Sequence, residues 1–313
     1  MQQTPDFSRA REILQNGLEA GAYPCIAYAI GCGETVLDSG FMGNKQVNPE
    51  MLPLVQDTLS DLASLSKLVS TTMVALRMLE EGKIELLGIS EPPGVGKTTL
   101  AEFFLAWTVG RNPFLPNLVG SHNNSFLGGM YGEMLRILDE NGEYRWRDVF
   151  PGLGIIATNA KDMMIGIGYD RKDDMRFKTL EFSSIGSGNA GKVRAMNILY
   201  CDDLVDGIET AMSIDRLDKL WQMYYTDLRQ RKVGTRCKEL HIATRWSVHD
   251  VLGRLERDYE GDPRAKFIRF PALNEKDESN FDYPYGLGYT TEALRKQRDI
   301  MDEPSFRALY MNE

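Results

Sequence analysis

Apolar residues recur at helical spacing across residues 7–20, where Ile13, Leu14 and Leu18 share one face before Gly21 interrupts the run; the pattern predicts a first helix. Two strands are expected next, over residues 25–30 and 34–38, joined by a tight turn at Gly31-Cys32-Gly33. Polar, proline-containing chain leads to Asp61, and a long helix is expected from about Ser64 to Glu81. From Ile84 the character changes. Short apolar runs at 84–89, 115–120, 176–181, 196–201 and 240–244 alternate with helical patterns at 99–108, 128–138 and 217–229. Such alternation predicts an α/β fold, a largely parallel sheet flanked by helices. Residues 262–285 are rich in Pro, Asp and Asn and are expected to wrap the core as irregular chain before a last helix over 291–302.

The run at 84–89 leads into Glu91-Pro92-Pro93-Gly94-Val95-Gly96-Lys97-Thr98, followed by Thr99 and a helix. Strand, glycine loop and helix in that order describe a phosphate-binding loop. Gly94 and Gly96 let backbone N–H groups turn inward around phosphate oxygens, with Pro93 and Val95 between and beside them. Lys97 would reach the β- and γ-phosphates, Thr98 would offer a hydroxyl to magnesium, and the helix start would present its positive dipole end. Where the full pattern has a glycine five residues before Gly96, this chain has Glu91.

A second apolar strand ends in Tyr200-Cys201-Asp202-Asp203, and its end should overlook the loop. In a phosphate-loop enzyme Asp202 would hold magnesium and Asp203 would orient or deprotonate the attacking water, with Glu209 competing for that second role. A third strand ends in Thr244-Arg245-Trp246, where Thr244 can sense the γ-phosphate; Asp250 and Arg254 follow at i, i+4 spacing and are expected to pair. His241 and His249 read as structural, because no nucleophile or metal cluster accompanies them.

Composition narrows the setting. The chain has 313 residues, 42% of them apolar, enough for a substantial core. No run approaches the roughly 18 to 20 apolar residues of a membrane span, and residues 1–11 lack a signal-peptide pattern, so a cytoplasmic protein is expected. Cys25, Cys32, Cys201 and Cys237 have no metal-ligand spacing and read as buried free thiols. A net charge of -9 excludes a generally basic surface that coats nucleic acid, while leaving room for basic loops.

Taken together, the loop with Ala101-Glu102-Phe103-Phe104, the segment Ser121-His122-Asn123-Asn124, Gly191-Lys192-Val193-Arg194, the acidic strand end, and Thr244-Arg245-Trp246 with Asp250 to Leu255 resemble the ATPase domain of a phage terminase large subunit over residues 88–313. The resemblance implies a P-loop NTPase core at residues 87–261 with a C-terminal extension at 262–313. It also implies ATP as substrate, Mg2+ as cofactor and the host cytoplasm as location. Implied partners are double-stranded DNA, a portal, a small terminase subunit and further copies in a ring. Lys97 and Thr98 match the phosphate-loop positions, Asp202 the magnesium acid, Asp203 the adjacent catalytic acid, where glutamate is commoner, and Thr244 the coupling position. The family's nuclease domain would begin about where this chain stops, so no DNA cleavage is expected.

Residues 1–86 differ. Ser64-Leu65-Ser66-Lys67 resembles the Ser-x-x-Lys motif of serine β-lactamase-like hydrolases and penicillin-binding proteins, in which Ser64 would be the acylated nucleophile and Lys67 its helper. That family's later motifs have no counterpart downstream, so no hydrolase activity is expected and apolar surface should be left uncovered. Two resemblances meeting between residues 82 and 88 read most simply as a chimera.

Overall fold

The computed structural model describes residues 6–21, 25–32, 35–46, 50–55, 71–187, 193–283 and 288–313. Two compact units divide the chain, Met1–Ala63 and Ser64–Glu313.

The smaller unit holds helix α1 (Ser8–Glu19) and strands β1 (Cys25–Cys32), β2 (Thr35–Gln46) and β3 (Leu52–Pro53). β1 pairs antiparallel with β2 from Cys32↔Thr35 to Cys25↔Gly43. Gly31 and Cys32, expected in the turn, therefore belong to the ladder, and Gly33 lies outside the described residues. Gly40 faces Tyr28 across the ladder, and a Cβ there would meet the ring at 2.8 Å, so the aromatic ring fills the space left by the missing side chain. α1 buries none of its residues, and Ile13, Val36, Leu37, Phe41 and Met51 are exposed. Of the helix expected from Ser64 to Glu81, residues 64–70 lie outside the described residues, and the remainder is helical at Met73–Glu80.

The larger unit begins with α2 (Met73–Glu80), β4 (Leu86–Ser90), α3 (Lys97–Arg111), β5 (Asn117–Ser121), α4 (Asn124–Leu138) and α5 (Trp146–Val149). Then come β6 (Gly154–Asn159), β7 (Met164–Gly168), β8 (Leu180–Ser184) and β9 (Ile198–Asp202). α6 (Ile208–Ala211) and α7 (Ile214–Met223) follow, the latter running into a π-helical turn at Tyr224–Leu228. β10 (Lys238–Ala243), α8 (Val251–Asp258), β11 (Ala265–Arg269), α9 (Thr291–Ile300) and α10 (Glu303–Phe306) complete it.

Eight strands form one sheet in the order β11-β4-β10-β9-β5-β8-β7-β6. The first six are parallel, and the last two pairings, β8 with β7 and β7 with β6, are antiparallel, so β7 alone runs against the rest of this sheet. Neighbouring residues on each parallel strand point to opposite faces. Leu87, Val119 and Tyr200 pack with α2, α3 and α4, whereas Leu86, Leu118 and Leu199 pack with α7 and α8. Burial on both faces explains why these strands read as unbroken apolar runs. α2 belongs to this core through Ala75, Leu76 and Leu79, which is why the units divide near residue 63 rather than at residue 86.

Two expectations need correction. The tail at 262–285 is not all irregular, because β11 lies within it and pairs with β4 at the sheet edge. The strand expected at 176–181 sits instead at Leu180–Ser184. Its polar Glu181 is buried because that side chain accepts the N–H groups of Lys178 at 2.8 Å and Arg194 at 3.0 Å, and a buried carboxylate so satisfied is tolerated in a strand.

Candidate functional site

Parallel strands end together, so the loops after β4, β5, β9 and β10 gather along one edge of the sheet, where α/β folds form their ligand crevices. The loop after β4 is anchored at its start by the Glu91 N–H, which donates to the Ala243 carbonyl of β10 at 3.2 Å. Gly94 and Gly96 then take φ of 75° and 92°, a region that side chains avoid and that turns consecutive N–H groups to one side. α3 starts immediately after Gly96 with no side-chain cap, so its first-turn N–H groups face the loop. Gly94, Gly96 and Thr99 are exposed, Pro93 and Thr98 half-buried, and Val95 buried.

Lys97 is buried and its Nζ lies 3.1 Å from Asp203 Oδ2. The other Asp203 oxygen accepts the Thr244 N–H at 2.7 Å. Asp203 thus bridges the phosphate-loop lysine and the end of β10. Its backbone has φ 32°, which costs an ordinary residue about 1 to 3 kcal/mol. The Asp203 carbonyl accepts from His122 Nδ1 at 2.8 Å and from Ser121 Oγ at 3.4 Å, both at the end of β5.

Asp202 is fully buried. Its Oδ2 accepts the Tyr200 hydroxyl at 2.6 Å, but its Oδ1 has no hydrogen-bond partner. Burial, with Asp203's negative charge added, pushes its pKa up to about 7 against the opposing pull of Tyr200, Lys97 and the Thr98 hydroxyl.

The sequence-selected residues Lys97, Thr98, Asp202, Asp203 and Thr244 therefore converge with the loop at 93–99. Glu209 does not join them. It is exposed on α6 and pairs with Arg216 at 3.6 Å. Ser64 and Lys67 lie outside the described residues. The expected Asp250–Arg254 pair is absent: Asp250 caps α8, accepting N–H groups from Gly253 at 2.7 Å, Trp246 at 3.0 Å and Ser247 at 3.2 Å. Arg254 pairs with Asp218 instead, and the cation opposite Asp250 is the buried Arg245, 4.0 Å away. His241 is structural, buried against Glu239 at 3.0 Å. Cys201 and Cys237 are buried free thiols, whereas Cys25 is half-buried and Cys32 exposed.

Four neighbours escaped sequence reading. His122 and Tyr200 hold the two acids, as described above. Tyr289 donates its hydroxyl to the Pro93 carbonyl at 3.0 Å, bringing the chain after β11 onto the loop. Glu102, one turn beyond Thr98 on α3, is buried, and its pKa rises to about 7 through burial, with the charges of Glu133 and Asp202 adding. Glu91, the departure from the glycine pattern, is likewise pushed up to about 7 by burial, opposed by Lys97. His122 had a usable signal, a polar residue at the end of a parallel strand. Tyr289 had none, since it reaches the loop from 196 positions away.

Among the described residues, no three His, Cys, Asp or Glu side chains are arranged to hold a metal ion by themselves. Magnesium keeps waters and commonly binds through one or two carboxylates plus substrate phosphates, so the buried, orphaned Asp202 oxygen fits that ion. No helix among the described residues is long and apolar enough to cross a membrane.

No protein-family model matches this chain, and no curated protein matches it. Among solved structures it is similar to the HK97 bacteriophage large terminase, with 11% sequence identity and a TM-score of 0.49 over 85% of this chain and 52% of that one. It is also similar to the Thermus phage P74-26 large terminase ATPase domain, in an arginine-to-alanine mutant, with 12% identity and a TM-score of 0.46 over 82% of this chain and 94% of that one. The chain spans about half the length of the HK97 protein.

Proposed function

We propose that this chain is a magnesium-dependent ATPase, a module of a DNA-packaging motor of the terminase large-subunit type. One observation carries the enzymatic part: Lys97 pairs with Asp203 at 3.1 Å beside the buried, orphaned Asp202 oxygen, under a glycine-turned loop. A nucleoside triphosphate fits this arrangement. Loop N–H groups and the α3 start would cradle its phosphates, and Lys97 would transfer from Asp203 to phosphate oxygen. Asp202 and Thr98 would hold magnesium, which when bound neutralises phosphate charge.

Asp203 then becomes free at Oδ2 while Thr244 still holds Oδ1. A water attacking the terminal phosphorus gives up its proton to that freed oxygen as the bond to the bridging oxygen breaks. Glu209 has no part in this reading, since it stands exposed on α6. The core would run over residues 87–261 with α2 packed against it and 262–313 as its extension, the latter touching the loop through Tyr289.

The packaging-motor part rests on the order and spacing of the motifs, and brings double-stranded DNA, a portal, a small terminase subunit and ring assembly as partners. The hydrolase alternative at Ser64 and Lys67 gains no supporting observation. ATP turnover by wild type and Lys97→Ala, with and without double-stranded DNA, tests the proposal. Turnover that DNA stimulates and the substitution abolishes is expected; equal turnover in both proteins refutes it.

A further inference from the structure

We infer that His122 is a positioning residue for the catalytic acid, acting through the backbone of Asp203; the inference rests on the ATPase reading above. Asp203 must present one oxygen toward Lys97 and the other to the Thr244 N–H, 3.1 Å and 2.7 Å away. Its backbone does so from a left-handed φ of 32°, a conformation that a non-glycine residue holds only where its surroundings impose it. At the carbonyl side the shorter of two contacts is His122 Nδ1, 2.8 Å from the Asp203 oxygen, against 3.4 Å for Ser121 Oγ. A carbonyl only accepts, so Nδ1 carries the proton in this contact.

The ring is itself located from both sides. β5 ends at Ser121, whose hydroxyl lies 3.3 Å from Nδ1, and Asn123 caps α4 by accepting the Phe126 N–H at 2.8 Å. His122 thus sits between two fixed points with Phe126 beside its ring. Nε2 faces the Asp206 carboxylate at 3.7 Å, on the side away from the bond to Asp203. His122 makes no described contact with Lys97, Thr98 or Asp202, so its influence reaches the chemistry only through Asp203.

The test compares magnesium-ATP kinetics of His122→Ala, His122→Asn and His122→Gln. An Asn amide can donate from nearly the place of Nδ1, whereas a Gln amide reaches the place of Nε2. His122→Ala and His122→Gln are expected to lose kcat about tenfold to a hundredfold, the scale of a catalytic group displaced by about an ångström. KM is expected to stay within about twofold, and His122→Asn to recover most of kcat. Unchanged kcat in His122→Ala, or equal losses in the Asn and Gln variants, overturns the inference. A crystal structure of His122→Gln supplies a readout independent of turnover: Asp203 should leave the left-handed region, and its retention there overturns the role of His122. Wild-type protein without ATP turnover would refute the ATPase reading, and that backbone conformation would then decide the role of His122 alone.

Discussion

Two acids on adjacent strands of one sheet are equally buried and opposite in circumstance. Glu239 on β10 accepts from the Tyr224 hydroxyl, from His241 at 3.0 Å and from Lys232 at 3.1 Å, with Arg229 at 3.4 Å. Burial alone would raise its pKa, yet the His241 hydrogen bond and the cations of Lys232 and Arg229 drive it well below the usual range. Asp202 on β9 has one oxygen bonded and one orphaned, and burial lifts its carboxyl to about 7. A buried acid with every lone pair engaged ties elements together; one left short at the carboxyl edge of a parallel sheet is prepared for a cation that arrives with substrate.

The sharpest way to break that contrast is to remove Glu239. Glu239→Ala leaves Arg229 and Lys232 facing a vacated interior, and should destabilise the fold by about 3 to 5 kcal/mol. Thermal unfolding should show Tm lower by roughly 6 to 12 °C or more. A shift below about 2 °C would mean that the satisfied acid holds nothing together.

The two acids should also respond to pH in opposite senses. Asp202 has a folded pKa of about 7 against an ordinary 3.8, so its ionised form disfavours folding. The penalty is absent below about pH 4, grows as pH rises, and is complete above about 7. Glu239 has a folded pKa below its ordinary 4.5, so its contribution is full above that value and is lost as pH falls. In metal-free buffer, the stability gained by Asp202→Asn should therefore increase with rising pH, while the deficit of Glu239→Ala should shrink under acid. A stability difference between Asp202→Asn and wild type that is flat from pH 4 to 8 contradicts the assignment.

A smaller effect tests the loop itself. Tyr289→Phe removes only the hydroxyl that meets Pro93 at 3.0 Å, a bond of about 0.5 to 1.5 kcal/mol. KM for magnesium-ATP should rise about two- to tenfold with kcat nearly unchanged. A kcat loss with constant KM would instead place Tyr289 in the chemistry.

What could be read from the sequence follows from how each part is buried. β4 and β9 are covered on both faces, so they appear as apolar runs whose ends carry the loop, Asp202 and Asp203, while β10, interrupted by Glu239 and His241, shows only a short apolar stretch leading to Thr244. β11 lies at the sheet edge within a polar, proline-containing tail and presents no such run. The spacing of Asp250 and Arg254 suggested a pair because it ignored the cap, whose backbone donors occupy both Asp250 oxygens. His122 and Tyr289 act across 81 and 196 positions of chain. Contacts at that separation are created by the topology: Tyr289 leaves no local pattern, and His122 shows only as a polar residue at a strand end.

Metal affinity measured directly tests the reading of Asp202 most closely. Manganese(II) can be titrated by electron paramagnetic resonance into wild type and Asp202→Asn, each in the presence of ADP. Wild type should bind one ion, and the variant should bind it at least about tenfold more weakly while melting no lower in metal-free buffer. Equal manganese affinity in the two proteins would contradict the claim that the orphaned oxygen of Asp202 is a cation ligand.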